Sequence, residues 1–308
     1  MSRVALLLGD PARLRPVARA IVGAGGRTAA AEDAAASSAS WVLALVDDVD
    51  EATRTYLRAL AAQRPGSPLT LVLGAALPPE GWRALTATPQ VTQALALEGP
   101  WLSELLLTAS CGATELDMVG RCLAAGAQVE RHTLTRSSDK GPTLARVDSW
   151  LAGFAFGARL RGRVLDVADE LVMNALYDAP TRPDGSPRHA SAPRTQPVEL
   201  ADAEAVTLSV ACDGRTLAVS MRDPFGALDA ATVRRSLERG LAGGDAQIER
   251  KAGGAGLGLY LMWSTLGALI VRVRPGRSTE VTGLLDVRGG GRDVVATPKS
   301  FVWMSEPA

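Results

Sequence analysis

The residues best suited to catalysis lie in one predicted helix, residues 159–178. Glu170 and Asn174 are four positions apart, so they lie one turn apart on the same side of a helix. The apolar residues of the segment cover the neighbouring face, which places the pair beside a buried surface. There a carboxylate can orient water and a carboxamide oxygen can ligate Mg²⁺. The alternative is a solvated helix flank, but Asn174 is the only asparagine in the chain, and asparagine is a poor helix former.

A second carboxylate closes a predicted strand, in the sequence Asp223-Pro224-Phe225-Gly226. A carboxylate at a strand end can accept a hydrogen bond from a ligand amine, and loops on rigid edges often carry such contacts. The alternative is an aspartate that only begins a turn before proline. This motif therefore indicates a binding residue only in combination with others.

The third motif is a glycine-rich stretch that contains Gly254, Gly256 and Gly258 and precedes an apolar helical run. Glycines let backbone N–H groups approach phosphate oxygens, and a helix N-terminus adds a favourable partial charge. The stretch has neither the closing Gly-Lys-Ser/Thr of a Walker loop nor a preceding strand as in a Rossmann fingerprint. It predicts phosphate binding, and a flexible connector is the alternative.

The elements that must position these motifs change character near residue 100. Residues 4–100 alternate short aliphatic runs with helix-length segments, which predicts an α/β domain with a parallel sheet. Residues 101–127 form a predicted connecting helix. Residues 128–308 form a predicted α+β domain. It contains two helices, a proline-rich excursion at 179–200 and two antiparallel hairpins, 206–212 with 216–222 and 268–274 with 278–286.

The composition excludes several classes of protein. The chain has 308 residues, 33 basic and 33 acidic groups, and 47% hydrophobic residues, which argues against disorder and against a nucleic-acid platform. Three cysteines without a C-x-x-C pair, and two histidines, argue against a disulfide framework and a zinc site. The segment between Lys251 and Arg272 lacks charge, but its glycines and hydroxyl residues favour protein core over a membrane span. We expect a cytoplasmic protein without a signal peptide.

Taken in chain order, the three motifs resemble those of the histidine-kinase-like (GHKL) ATPase superfamily, which includes gyrase-type ATPases and anti-sigma-factor-type serine/threonine kinases. The resemblance covers residues 128–308. The matching positions are Glu170 and Asn174 in the N box, Asp223 and Gly226 in the G1 box, and Gly254, Gly256 and Gly258 in the G2 box.

The resemblance implies a Bergerat-type fold, a two-layer α+β sandwich that binds ATP and Mg²⁺. It implies that Asn174 holds Mg²⁺, that Asp223 receives the adenine amine and that Thr279 lies near the adenine. The G2 glycines would line the phosphates. Glu170 would be the general base, as in gyrase-like and anti-sigma-type members.

The sequence also departs from the family pattern. Its G1 box reads Asp223-Pro224-Phe225-Gly226-Ala227 where the family has D-x-G-x-G, and residues 181–197 interrupt a passage that is usually tighter. Residues 227–252 resemble the ATP lid, from which Arg250 and Lys251 would reach phosphate. A solvated basic pair is the alternative for those two residues.

The first domain resembles a response-regulator receiver, a flavodoxin-like α/β fold. Asp10 and Asp47-Asp48 follow predicted strands, where the acidic cluster and the phosphoacceptor of a receiver lie. Gly74-Ala75 replaces the usual Ser/Thr, Glu98-Gly99-Pro100 replaces Lys-Pro, and no lysine precedes Lys140. Because aspartyl phosphorylation needs both bound Mg²⁺ and a neutralising cation, we expect a pseudo-receiver that serves protein contacts.

His132 lacks the acidic neighbour and the downstream proline of a histidine-kinase H box. Alternating residues around it predict a strand, so we expect an exposed strand histidine and no autophosphorylation on histidine.

Two functions stay open at this point. The first is a signalling regulator that binds Mg-ATP and hydrolyses it or phosphorylates a protein Ser/Thr, with a protein partner on the N-terminal domain. The second is a non-catalytic interaction module with a degenerate nucleotide site. The predicted helix at 101–125 allows a homodimer, and neither nucleic acid nor membrane is an expected partner.

Overall fold

The computed structural model describes residues 4–31, 33, 39–65, 67–110, 118–189, 192–242, 258–288 and 298–305. It is an α/β protein whose strands pair both in parallel and in antiparallel. The chain divides into two compact units. The first comprises Met1–Glu115 with Pro298–Trp303, and the second comprises Leu116–Thr297 with Met304–Ala308. The predicted limits of 1–100, 101–127 and 128–308 stay a prediction.

The elements up to residue 122 are β1 (Val4–Leu8), α1 (Arg15–Gly23), β2 (Arg27–Ala29), β3 (Trp41–Val46), α2 (Glu51–Gln63), β4 (Leu69–Leu73), α3 (Pro79–Thr86), β5 (Val91–Ala96), α4 (Leu102–Ser110) and α5 (Met118–Cys122). The later elements are β6 (Gln128–Leu134), α6 (Lys140–Ala152), α7 (Ala158–Met173), β7 (Val206–Cys212), β8 (Thr216–Asp223), α8 (Ala230–Ala242), α9 (Gly258–Thr265), β9 (Ala268–Arg274), β10 (Ser278–Asp286) and β11 (Ser300–Ser305).

The first unit contains a sheet in the order β2-β1-β3-β4-β5-β11. The strands from β1 to β5 run parallel, as their short aliphatic runs predict, and Leu43, Leu71 and Leu95 are fully buried. Such runs suit strands that are covered on both faces. β11 pairs antiparallel with β5 through Phe301 and Val302. The sequence predicts neither this return of the chain nor the short β2.

The second unit contains an antiparallel sheet in the order β9-β10-β8-β7-β6. Both predicted hairpins are present, and their strands pair in continuous register. Between β7 and β8, Gly214 has a φ of +85° and Asp213 Oδ1 accepts hydrogen bonds from the N–H groups of Arg215 and Thr216. An Asp-Gly turn of this kind needs the left-handed conformation that glycine adopts readily. α7 packs against β8 and α9.

The predicted helix at 159–178 changes its hydrogen bonding near its end. α7 ends at Met173, and residues 174–178 form one π-helical turn in which the Ala179 N–H donates to the Asn174 carbonyl at 2.9 Å. A π turn carries an extra residue, so it alters the direction of the side chains that follow it. Asn174 stands at the point of this change.

The expectation of an exposed His132 is wrong. His132 is only 9% exposed, because it shares the inward face of β6 with Leu134 while Arg131 and Thr133 point outward. Its Nε2 lies 2.9 Å from Glu130 Oε1. The alternation of an edge strand places every second side chain inside, and His132 falls on that side.

No helix within the described ranges is long and apolar enough to cross a membrane. Of the charge-free segment before Arg272, the described part forms the eight-residue α9 and most of β9, where Met262, Trp263 and Ile270 are buried.

Candidate functional site

Glu170 and Asn174 interact directly at the end of α7. Asn174 follows Glu170 by one turn, and its side chain is close enough to lower the pKa of the Glu170 carboxyl group. Burial raises the pKa of Glu170, the charge of Arg194 lowers it, and the charges of Asp178 and Asp169 raise it further. Glu170 is half-buried, so part of the residue stays accessible to solvent.

Glu170 also meets the first residue of α9. A β-carbon built on Gly258 would overlap the Glu170 carboxyl group, so the carboxylate lies directly on the glycine backbone. The predicted N-box and G2-box motifs are therefore in contact in the folded chain, although they are far apart in sequence. Only glycine allows this approach without movement of the carboxylate.

Two further residues, which the sequence reasoning missed, stand beside this pair. Asp178 Oδ2 lies 2.7 Å from Arg194 Nη2, and the Arg194 guanidinium lies 5.7 Å from the Tyr177 ring centroid. Burial raises the pKa of Asp178, and Arg194 lowers it. Asp178 follows Asn174 by four residues, so helical spacing could have indicated it. Arg194 has no such local signal, because the excursion brings it back to the helix end.

Asp223 ends β8 and is buried, with 6% of its surface exposed. Its Oδ1 accepts hydrogen bonds from the Phe225 N–H at 2.9 Å and the Gly226 N–H at 3.4 Å. Burial raises the pKa of Asp223 to about 6, although these bonds and the neighbouring Thr279 lower it. A carboxylate held away from water in this way favours a ligand that donates a hydrogen bond to it.

Thr279 stands directly opposite Asp223 in the β8–β10 register and is 3% exposed. The Thr279 hydroxyl is close enough to lower the pKa of Asp223. No hydrogen bond joins the two side chains, however, and the Thr279 Oγ1 is buried without a partner among the described residues. A buried hydroxyl without a partner is uncommon, and the Thr279 hydroxyl can still donate or accept a hydrogen bond.

Gly226 has a φ of +63°, and a β-carbon there would overlap the Arg274 carbonyl oxygen. The turn after Asp223 therefore needs glycine at this position, even though the G1 pattern is altered. Phe225 occupies the position of the first glycine in the D-x-G-x-G pattern. Its ring centroid lies 5.9 Å from the Arg188 guanidinium.

Side-chain contacts hold the excursion at 179–200 against the rest of the second unit. Arg188 makes two hydrogen bonds to Glu204, at 2.5 and 2.9 Å, as well as its contact with Phe225. The Tyr177 hydroxyl donates to the Gln196 carbonyl at 2.7 Å. The prolines and polar residues of this segment predict no core of its own. Ion pairs, hydrogen bonds and the buried side chains of Val198 and Leu200 hold it in place.

Several predicted site residues lie outside the described residues, namely Gly254, Gly256, Arg250 and Lys251. The described part of the predicted lid contains α8, in which Gly240 contacts the Tyr260 ring of α9 so closely that a β-carbon would overlap it. α8 is thus packed against α9.

In the first unit, the Arg13 side chain lies beside Asp47, which directly follows β3. Arg13 donates two hydrogen bonds to Asp47, at 2.6 and 2.8 Å, and these lower the pKa of Asp47. The charges of Asp10 and Glu98 also raise the pKa of Arg13. A β-carbon on Gly74 would overlap both members of the Arg13–Asp47 pair. The glycine that replaces Ser/Thr therefore makes room for the arginine.

Within the described ranges, no three His, Cys, Asp or Glu side chains come together as a metal site. Mg²⁺ is commonly held by one or two protein ligands together with substrate phosphates and water, so a single amide oxygen from Asn174 fits such an ion.

No known protein family matches the chain, and no curated protein matches its sequence significantly. The function must therefore be inferred from the chemistry of these side chains.

Proposed function

We propose that the second unit binds Mg-ATP as histidine-kinase-like ATPases do and that Glu170 is its general base. The observation that carries the proposal is the close approach of the Glu170 carboxylate to the Gly258 backbone, which joins two separate sequence motifs. Chance matches to short motifs have no reason to meet in space.

The adenine end of the proposed site is formed by Asp223 and Thr279. An adenine offers an amine that donates and ring nitrogens that accept hydrogen bonds. The buried Asp223 carboxylate suits the amine, and the buried Thr279 hydroxyl, which lacks a partner among the described residues, suits a ring nitrogen directly or through water. The residues present therefore fit the purine.

The phosphate end is formed by Glu170 and Asn174, with the Gly258 end of α9 beside them. The Asn174 amide oxygen would hold Mg²⁺, which neutralises charge on the phosphates when it is bound. Glu170 would take the proton of the attacking hydroxyl, and its raised pKa brings it closer to that task at neutral pH. The attacking group is water in an ATPase and a protein Ser/Thr hydroxyl in a kinase.

A histidine-kinase reaction on His132 is disfavoured, because His132 is buried in β6 and contacts Glu130. The first unit would act as a receiver-like domain for a protein partner without being phosphorylated itself. Arg13 already neutralises Asp47, where a receiver would accept the phosphoryl group. The whole chain would then be a signalling regulator of the cytoplasm.

One observation favours a second candidate, a protein-interaction module with a degenerate nucleotide site. Asp223 Oδ1 already accepts two hydrogen bonds from its own turn, so the carboxylate has a structural task without any ligand. Phosphate release and phosphoryl transfer from Mg-ATP separate the two candidates, because the interaction module catalyses neither, whether or not it binds the nucleotide.

The general-base role is tested by Glu170→Gln, with Asp166→Asn as the matched control. Asp166 is an exposed carboxylate one turn earlier on α7. We expect Glu170→Gln to lower the rate of phosphate release or phosphoryl transfer about 100-fold or more, with ATP affinity changed only a few-fold. Asp166→Asn should behave as wild type. An undiminished rate in Glu170→Gln would exclude the general-base role.

A further inference from the structure

Two close contacts hold the helix α9 in the second unit. At its first residue, Gly258, the backbone lies against the Glu170 carboxylate of α7. Two residues later, the Tyr260 ring lies on Gly240 of α8, where an added β-carbon would overlap Cγ, Cδ1 and Cδ2 of the ring. Each contact joins a side chain directly to a glycine backbone, so neither contact can become closer.

α9 is too short to fix its own position. It has eight residues, and isolated helices of that length are marginal in water. Met262 and Trp263 are buried, and the centroids of the Tyr260 and Trp263 rings lie 6.2 Å apart. α9 packs against both α7 and α8. The place of Gly258 is therefore determined by this packing.

Gly240 is the residue of α8 that admits the Tyr260 ring. It lies on the buried face of the helix, three residues after Leu237 and seven after Val233. Glycine weakens a helix interior relative to alanine. The φ angle of Gly240 is not positive, so the backbone conformation does not require glycine there. The space taken by the Tyr260 ring does require it.

A methyl group on Gly240 would press on the root of the Tyr260 side chain. Carbon atoms in contact lie about 3.5–4.0 Å apart, so the overlap is relieved only if the ring changes its rotamer or a helix moves by about 1 Å or more. Close-packed interiors transmit such a shift to neighbouring groups. Gly258, two residues from Tyr260, and its contact with Glu170 lie directly in its path.

We infer that Gly240 and Tyr260 are positioning residues: through their contact, α8 sets the distance between the Gly258 backbone and the Glu170 carboxylate. This inference rests on the proposed function, in which Glu170 is the general base. Misplacement of a reacting group by about 1 Å can lower a rate about 100-fold. The position of α8 is thereby coupled to the rate of the chemical step.

The test is a double-mutant cycle on the full chain, with kcat and KM for phosphate release from Mg-ATP as readouts. We expect Gly240→Ala to lower kcat at least about tenfold and to change KM less than about threefold. Tyr260→Ala should lower kcat about three- to tenfold, because α9 loses one of its supports. In the double variant the methyl group has room, so kcat should equal that of Tyr260→Ala within about twofold.

Two further variants separate this contact from general effects of substitution. Gly141→Ala adds the same methyl group to α6, where a β-carbon meets no atom within 4 Å, and should keep the wild-type kcat. Tyr260→Phe is the conservative variant. It keeps the ring atoms that lie on Gly240, so its kcat should exceed that of Tyr260→Ala.

The remaining outcomes overturn one proposal or the other. If wild type releases no phosphate from Mg-ATP, the proposed function fails. If wild type is active and Gly240→Ala keeps its kcat, or lowers kcat by the same factor with and without the Tyr260 ring, the inference is overturned. Thermal unfolding identifies a variant that fails to fold. If Gly240→Ala does so, Tyr260→Ala and Tyr260→Phe decide, and equal kcat values for these two would overturn the inference.

Discussion

At the residue scale, burial governs the chemistry of Asp223. The same burial that raises its pKa to about 6 also leaves it poorly solvated, so a donor from a ligand would relieve the cost of ionisation. The hydroxyl of Thr279, which lies opposite Asp223, is also buried and has no hydrogen-bond partner among the described residues. Both features follow from the β8–β10 register, in which the two residues are partners.

The raised pKa of Asp223 gives a defined dependence of stability on pH. The folded carboxyl titrates at about 6 and its ordinary value is 3.8, so the native state binds more protons between these values. Stability from this residue is therefore complete below pH 3.8 and is lost as pH rises through 6, by about 3 kcal/mol in total. The variant Asp223→Asn should not show this loss of stability, because an amide does not ionise in this pH range.

Urea unfolding of wild type and Asp223→Asn at about pH 4, 5, 6 and 7 measures the effect. The free energy of unfolding of the variant should rise relative to wild type across that range. Other carboxylates contribute equally to both proteins and cancel in the difference. Parallel pH profiles would show that Asp223 titrates normally.

At the scale of elements, periodicity predicts what is repetitive and misses what is not. The hairpins β7–β8 and β9–β10 follow from alternation and turn residues, and the sequence places them within one residue of their observed ends. The π turn at 174–178 is a shift of hydrogen-bond partner, which leaves no mark in an apolar pattern. The pairing of Arg194 with Asp178 depends on how the excursion folds, so spacing cannot reveal it.

The packing of α7 against α9 gives a prediction about Gly258. In Gly258→Ala the new methyl group would displace the Glu170 carboxylate, so we expect turnover to fall at least about tenfold. Gly162→Ala is the control, because a β-carbon on that α7 residue meets no atom within 4 Å. It should retain activity and raise the free energy of unfolding by about 0.5–1 kcal/mol, the helix preference of alanine over glycine.

The two variants are compared by phosphate release and by thermal unfolding. Full activity in Gly258→Ala would mean that the Glu170 carboxylate is free to move away, and it would weaken the assignment of the site.

At the scale of the whole molecule, the decisive unpredicted feature is the return of residues 298–303 to the first unit. The aliphatic runs of β1, β3, β4 and β5 predict the parallel sheet, but nothing in their sequence indicates a sixth strand from the far end of the chain. Phe301 and Val302 are buried against β5, and the Ala96 N–H donates to Ser300 Oγ at 3.0 Å. Long-range pairing of this kind is not encoded in local pattern.

Removal of residues 298–308 should therefore destabilise the first unit. The lost burial of Phe301 and Val302 corresponds to about 3–6 kcal/mol, and the edge of β5 becomes unpaired. Hydrogen exchange measured by mass spectrometry should show faster exchange in β4 and β5.

The control for this truncation is Ser305→Ala. Ser305 is the exposed last residue of β11 and lies beyond the residues that pair with β5. The substitution should leave hydrogen exchange in β5 unchanged. Unchanged protection of β5 after the truncation itself would refute its dependence on β11.

The late position of β11 in the chain has a consequence for synthesis. Residues 4–96 leave the ribosome long before residues 298–303, so the first unit waits for its final strand until most of the second unit has been made. During that interval β5 presents an open edge to other nascent chains, and a stalled or prematurely ended polypeptide keeps that edge open. Chaperone demand should consequently scale with the time spent translating the second unit.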